Sequence, residues 1–139
     1  MQTKKIADGF VVKLDRGEQL VDSLIKFARQ EKVDSGSVAG IGAVTNVTLG
    51  YFDREQKKYL QRKFEDVYEL VSLLGSIASL DHQPILHLHI AISDRNYNLC
   101  AGHLFSAEVA VTAEVFVRAY PEPLLRKKDP EFGLNLLDL

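Results

Sequence analysis

The segment Ile85–Ser93, ILHLHIAIS, alternates, which is the pattern of a half-buried strand. Leu86, Leu88, Ile90 and Ile92 fall on one face; Ile85, His87, His89, Ala91 and Ser93 fall on the other. The first face is wholly apolar and belongs against a core. The second carries two imidazoles, and positions i and i+2 put them on the same side of the sheet. A third, His103, follows after thirteen intervening residues in CAGHL. A turn over Asp94–Asn98 and a return strand over Leu99–Phe105 would bring it back beside the first two.

Neutral imidazole is a preferred ligand of zinc and other late transition metals. Three histidines with an open position keep a zinc reactive, whereas structural zinc is usually closed by four ligands. His87, His89 and His103 are therefore the candidate metal ligands; the competing reading makes them solvated or merely structural. His82, in the polar Asp81-His82-Gln83 turn, belongs to the surface. Among the carboxylates, Glu65 reads as exposed. Glu69 and Glu114 are candidates to line a pocket or brace the ligands, and Glu114 interrupts an otherwise apolar stretch. Cys100, three residues before His103, points to the opposite sheet face and reads as a small buried hydrophobe.

The rest of the chain supplies a sheet for that strand. Ile6–Leu14 reads as a strand interrupted at Gly9. Over Gly17–Lys32 the period changes: Leu20, Val21, Leu24, Ile25, Phe27 and Ala28 recur at helical steps, giving an amphipathic helix that ends at Asp34-Ser35-Gly36. The small, glycine-rich Ser37–Val44 lacks the spacing and the lysine of a phosphate loop and reads as a buried strand. Thr45–Phe52 and Tyr59–Phe64 form a hairpin around a polar turn; Glu69–Ile77 is another strand, and Leu80–Pro84 a turn. Glu108–Tyr120 is a long apolar strand. From Pro121 a proline-bearing tail runs to LNLLDL. The expectation is one α+β domain over residues 1–139, with a tail over about 121–139, a mostly antiparallel sheet and one main packed amphipathic helix.

Charge and composition narrow the function classes. The net charge of −2 opposes a generic DNA-binding surface, because phosphate contacts dominate nucleic-acid affinity. Arg54, Lys57, Lys58, Arg62 and Lys63 cluster, but acids interleave with them, as on a solvated hairpin; Arg126-Lys127-Lys128 reads the same way. No apolar run reaches the ~20 residues that span a bilayer, and the N-terminus lacks the apolar stretch of a signal peptide. The single cysteine fits a reducing cytoplasm.

Four stretches in order resemble the PPC (plants and prokaryotes conserved) domain: Gly42–Asp53 (GAVTNVTLGYFD), Phe64–Ile77, Pro84–Asp94 with its HLH, and Gly102-His103-Leu104. Ala101 stands where prokaryotic members usually carry a glycine. The resemblance covers nearly the whole chain and implies an α+β fold, a homotrimer, and a metal, usually zinc, on His87, His89 and His103. It also implies a DNA-binding or regulatory role, although no Arg-Gly-Arg, the core of the plant AT-hook, occurs here. More distantly, the histidine arrangement is similar to that of acetolactate decarboxylase, whose zinc polarises a carbonyl. Three expectations follow: a trimeric metal-binding regulatory protein, a zinc enzyme acting on a small carbonyl or carboxylate substrate, and a trimer whose histidines are only structural.

Overall fold

The computed structural model describes residues 1–139. Nine strands and one helix follow in the order β1 (Gln2–Ile6), β2 (Gly9–Asp15), α1 (Leu20–Glu31), β3 (Gly36–Asp53), β4 (Lys58–Phe64), β5 (Tyr68–Leu80), β6 (Gln83–Ser93), β7 (Leu99–Ala119), β8 (Leu125–Lys128) and β9 (Asn135–Asp138). All belong to one sheet, ordered β1-β2-β7-β3-β5-β8-β9, with β4 on β3 and β6 bridging β5 and β7. Every pairing is antiparallel except the single contact of β5 with β8 at Ser79 and Leu125. Because β7 pairs with β3 at both its ends and with β6 between β5 and itself, the strands β3, β5, β6 and β7 close a ring. Closure leaves those four strands without free edges at the centre of the molecule.

The inner face of this ring holds the core. Leu88, Ile90 and Ile92 of β6 meet Leu70, Leu73 and Ile77 of β5, Val38, Val44, Val47 and Leu49 of β3, and Leu104, Val109, Ala113, Val115 and Val117 of β7. The apolar face expected for β6 is thus buried, with Leu86 only half-covered near its start. The helix α1 covers one side of this core with Leu20, Leu24, Phe27 and Ala28, packing on β6 and β7. It is shorter than the expected Gly17–Lys32 and adds four buried residues to a core built mainly by strands. Gly17 donates to the Val109 carbonyl and Gln19 bridges to Glu108, so the segment before Leu20 is held by β7. The helix ends in a left-handed residue, Lys32 (φ 56°), whose N–H bonds back to the Ala28 and Arg29 carbonyls.

Three boundaries differ from the sequence reading. The expected strand Ile6–Leu14 takes in the last residue of β1, the turn at Ala7–Asp8 and most of β2, the second arm of a hairpin whose first arm carries no buried residue. Ser37–Val44 and Thr45–Phe52 form one 18-residue strand, and Leu99–Phe105 and Glu108–Tyr120 one 21-residue strand. Bulges at Gly40/Gly42, Gly42/Val44 and Thr45/Thr48 break the alternation without ending the pairing. The tail folds back as the β8–β9 hairpin against β5. No helix is long and apolar enough to cross a membrane.

Candidate metal centre

The register sets His89 of β6 directly opposite His103 of β7, with His87 two residues upstream on the same face. Directly opposed residues of an antiparallel pair share a face with Cβ atoms about 4.5–5.5 Å apart, so backbone pairing alone assembles the trio. The Nε2 atoms of His87 and His89 stand 3.2 Å apart. One nitrogen from each of the three rings fits within a mutual distance of 4.8 Å, and no cysteine or carboxylate joins them. His87 and His89 are exposed; His103 is half-buried.

Aromatic rings wall the His103 side. Tyr59 of β4 lies over its ring at 4.8 Å between centroids, and Phe105, two residues along β7, meets it edge-on at 5.0 Å. Both rings pack over Gly50, which pairs with His103; a Cβ on Gly50 would lie 2.4 Å from Phe105 and 2.9 Å from Tyr59. That wall has an electrostatic consequence. Burial, with His87 and His89 adding to it, pulls the His103 imidazole down to about 4. Burial, then Arg126 and His89, also lowers His87. Both rings are therefore neutral at pH 7, the form in which a histidine offers a lone pair. The Nδ1 of His103 is buried with no hydrogen-bond partner.

The third wall is Arg126, on β8. It is only 9% exposed, against the surface position expected for the Arg126-Lys127-Lys128 run. Its Nη1 donates to the Asn135 carbonyl at 2.7 Å and its Nη2 to Ser76 Oγ at 3.2 Å, while Nε is buried without an acceptor. Ser76 is the cross-strand partner of His87. Tyr59, Phe105 and Arg126 are the residues that sequence reasoning missed. Phe105 shares the parity of His103 along β7, which was a usable signal. Tyr59 and Arg126 arrive from other hairpins and leave no local mark.

The expected carboxylates lie elsewhere. Glu114 is exposed on the outer face, paired with Ile41 on one side and Lys13 on the other, an opposite-charge neighbour that accounts for an acid in an apolar strand. Glu69 is exposed, pairs with Ser93 and Ala43, and lines a surface depression with Asp66, Asp94 and Arg95 at the far end of β5. Glu65 is exposed in an ion pair with Lys63 at 2.9 Å. Cys100 is half-buried against the core and paired with Ile92, on the face away from the histidines. His82 sits exposed in the β5–β6 turn.

Residues 1–121 match the sequence model of the Plants and Prokaryotes Conserved (PCC) domain. The chain belongs to this family. The structure agrees with solved members and near neighbours of the family fold. A candidate DNA-binding protein from Bacteroides thetaiotaomicron is 35% identical, superposes with a TM-score of 0.96 and covers 99% of this chain and 96% of its own. A plant- and prokaryote-conserved (PPC) protein of Pyrococcus horikoshii is 28% identical, with a TM-score of 0.88 over 99% of this chain and 94% of that one. A metal-containing protein of Archaeoglobus fulgidus is 30% identical, with a TM-score of 0.87 over 97% and 96%. No curated protein matches the chain.

Proposed function

We propose that His87, His89 and His103 hold one zinc ion with a fourth position left to an exchangeable ligand, and that the chain works as a homotrimer. One observation carries the metal: the 3.2 Å between the Nε2 atoms of His87 and His89. Two nitrogens each about 2.0–2.1 Å from a tetrahedral zinc stand roughly 3.3–3.4 Å apart. The donor set agrees, since three neutral imidazoles suit zinc, and a metal bond to His103 would relieve a ring that has an orphaned buried nitrogen. The absence of a fourth His, Cys, Asp or Glu from the cluster favours an open position over a closed structural site. The metal-containing Archaeoglobus relative points the same way.

Bound there, zinc would supply Lewis acidity toward a carbonyl or carboxylate oxygen. The protein's own part is to keep the His87 and His103 rings neutral, to exclude water on the side of Tyr59 and Phe105, and to add positive charge through Arg126. Because Arg126 comes from the tail, residues 1–139 act as one domain in this reading. The Bacteroides relative brings DNA binding as the rival role. On this chain the basic β3–β4 hairpin is diluted by acids, with Lys63 already paired to Glu65, and this favours a small ligand.

Elemental mass spectrometry of tag-free protein tests the metal. The expected result is about one zinc per chain, lost in His89→Ala; no stoichiometric metal after zinc loading and removal of excess overturns the proposal. DNA binding that falls steeply with salt would instead support the rival role.

A further inference from the structure

We infer that Arg126 is the anion anchor of the histidine site, and that the ligand it selects is a small carboxylic acid, one end held by this guanidinium and the other directed to the histidine trio. The inference rests on the metal reading above and names its ligand class.

Arg126 is buried yet meets no carboxylate: none of the ion pairs of the chain includes it. Its two hydrogen bonds go to neutral oxygens, the Asn135 carbonyl and Ser76 Oγ, and Nε has none. A buried guanidinium without a counter-charge is costly, and burial alone lowers the proton affinity of this one. A merely structural latch between β8, β9 and β5 would need only neutral donors, because both acceptors are uncharged. The charge is therefore unexplained by the contacts of the chain, and an anion from outside is its natural complement.

Position selects the anion. Ser76, which Arg126 grips at 3.2 Å, lies directly across from His87. A loaded trio and Arg126 would present two positive centres, linked through Ser76 opposite His87, with the aromatic wall of Tyr59 and Phe105 on the His103 side. A guanidinium fork matches the two oxygens of a carboxylate. No further basic residue is hydrogen-bonded into the cluster, so a single carboxylate suits it better than a polyanion such as a nucleic-acid backbone.

The test uses the full chain loaded with cobalt(II), whose visible spectrum reports both metal binding and its exchange of ligands. Acetate and pyruvate are titrated, with imidazole as the uncharged ligand. We expect carboxylates to perturb the spectrum of the wild type. In Arg126→Gln, which retains side-chain N–H donors, cobalt stoichiometry and imidazole affinity should hold. Carboxylate affinity should fall on the order of 10- to 100-fold, the value of a hydrogen bond to a charged group. Arg126→Lys keeps a point charge but loses the fork and should be weakened less. Unchanged carboxylate affinity in whichever of these variants folds overturns the anchor and leaves the metal reading standing. A wild type that takes up no cobalt overturns both.

Discussion

A histidine pressed between Tyr59 and Phe105 gains little from a proton, and His103 accordingly titrates near 4 instead of its usual 6.5. In the metal-free protein the unfolded chain takes up this proton first as pH falls, so stability is full above about 6.5 and drains as the pH drops toward 4. The loss should be on the order of 2–3 kcal/mol for this residue. Thermal melts of metal-free protein from pH 7 to pH 4 should decline more steeply for wild type than for His103→Gln; parallel curves would refute the assignment. The histidine trio was legible in the sequence because i, i+2 parity and a return strand are local patterns. Arg126 was not, since nothing in LRKK says which basic residue turns inward; that depends on where β8 docks on β5. The expectation for Glu114 failed for a related reason. Its partner Lys13 is remote in sequence, and a strand carboxylate without a visible partner looks misplaced.

At the scale of single elements, β5 and β6 approach closely where the site begins. A Cβ on Gly75 would stand 2.0 Å from the His87 carbonyl oxygen and 2.8 Å from Leu88 Cδ2, one backbone and one core atom. Gly75→Ala must push the two strands apart at His87, and overpacking of this kind costs about 1–3 kcal/mol. We expect a lower denaturation midpoint together with weaker zinc retention. Lost stability with zinc affinity intact would mean that β6 yields away from the site. The helix offers the opposite case. Lys32 closes α1 in the left-handed region at φ 56°, and it is exposed. Lys32→Gly removes that strain with no contact to lose and should stabilise the fold by about 1 kcal/mol in urea unfolding; a destabilised variant would show that the lysine side chain contributes there. The position of the helix was readable from its period. The continuity of β3 and β7 was not, because bulges at Gly42 and around Asn46 (φ 50°) shift the alternation and imitate strand ends.

At the scale of the whole molecule, one row of cross-strand partners links the metal site to the apolar exterior. Phe116 pairs with Ala39, Ala39 with Leu74, Leu74 with His89, and His89 with His103. Partners in such a row share a face, so an exposed apolar stripe, with Phe116 at 50% and Leu74 at 59% exposure, runs directly into the histidines. Ile41 and Val111 enlarge it, at 56% and 64%. A patch of this kind beside a site usually marks an interaction surface. Surface depressions lie elsewhere, lined by Asp66–Glu69 with Ser93–Asn96 and by Tyr51 with Asp53–Glu55, and a single chain leaves His87 and His89 exposed. A neighbouring copy seated on the stripe would cover the apolar residues and raise a wall beside the metal in one step. Under the trimer proposal, sedimentation of wild type should give three times the chain mass, and Phe116→Asp or Leu74→Asp should release the monomer. Tyr97→Asp, on the β6–β7 turn at 89% exposure, serves as a control that leaves assembly intact. Since all three imidazoles come from one chain, the released monomer should still take up zinc while losing most of its affinity for carboxylates, because the site would stand open to water. A wild type that sediments as a monomer at every concentration would remove the trimer and leave the stripe in need of another partner.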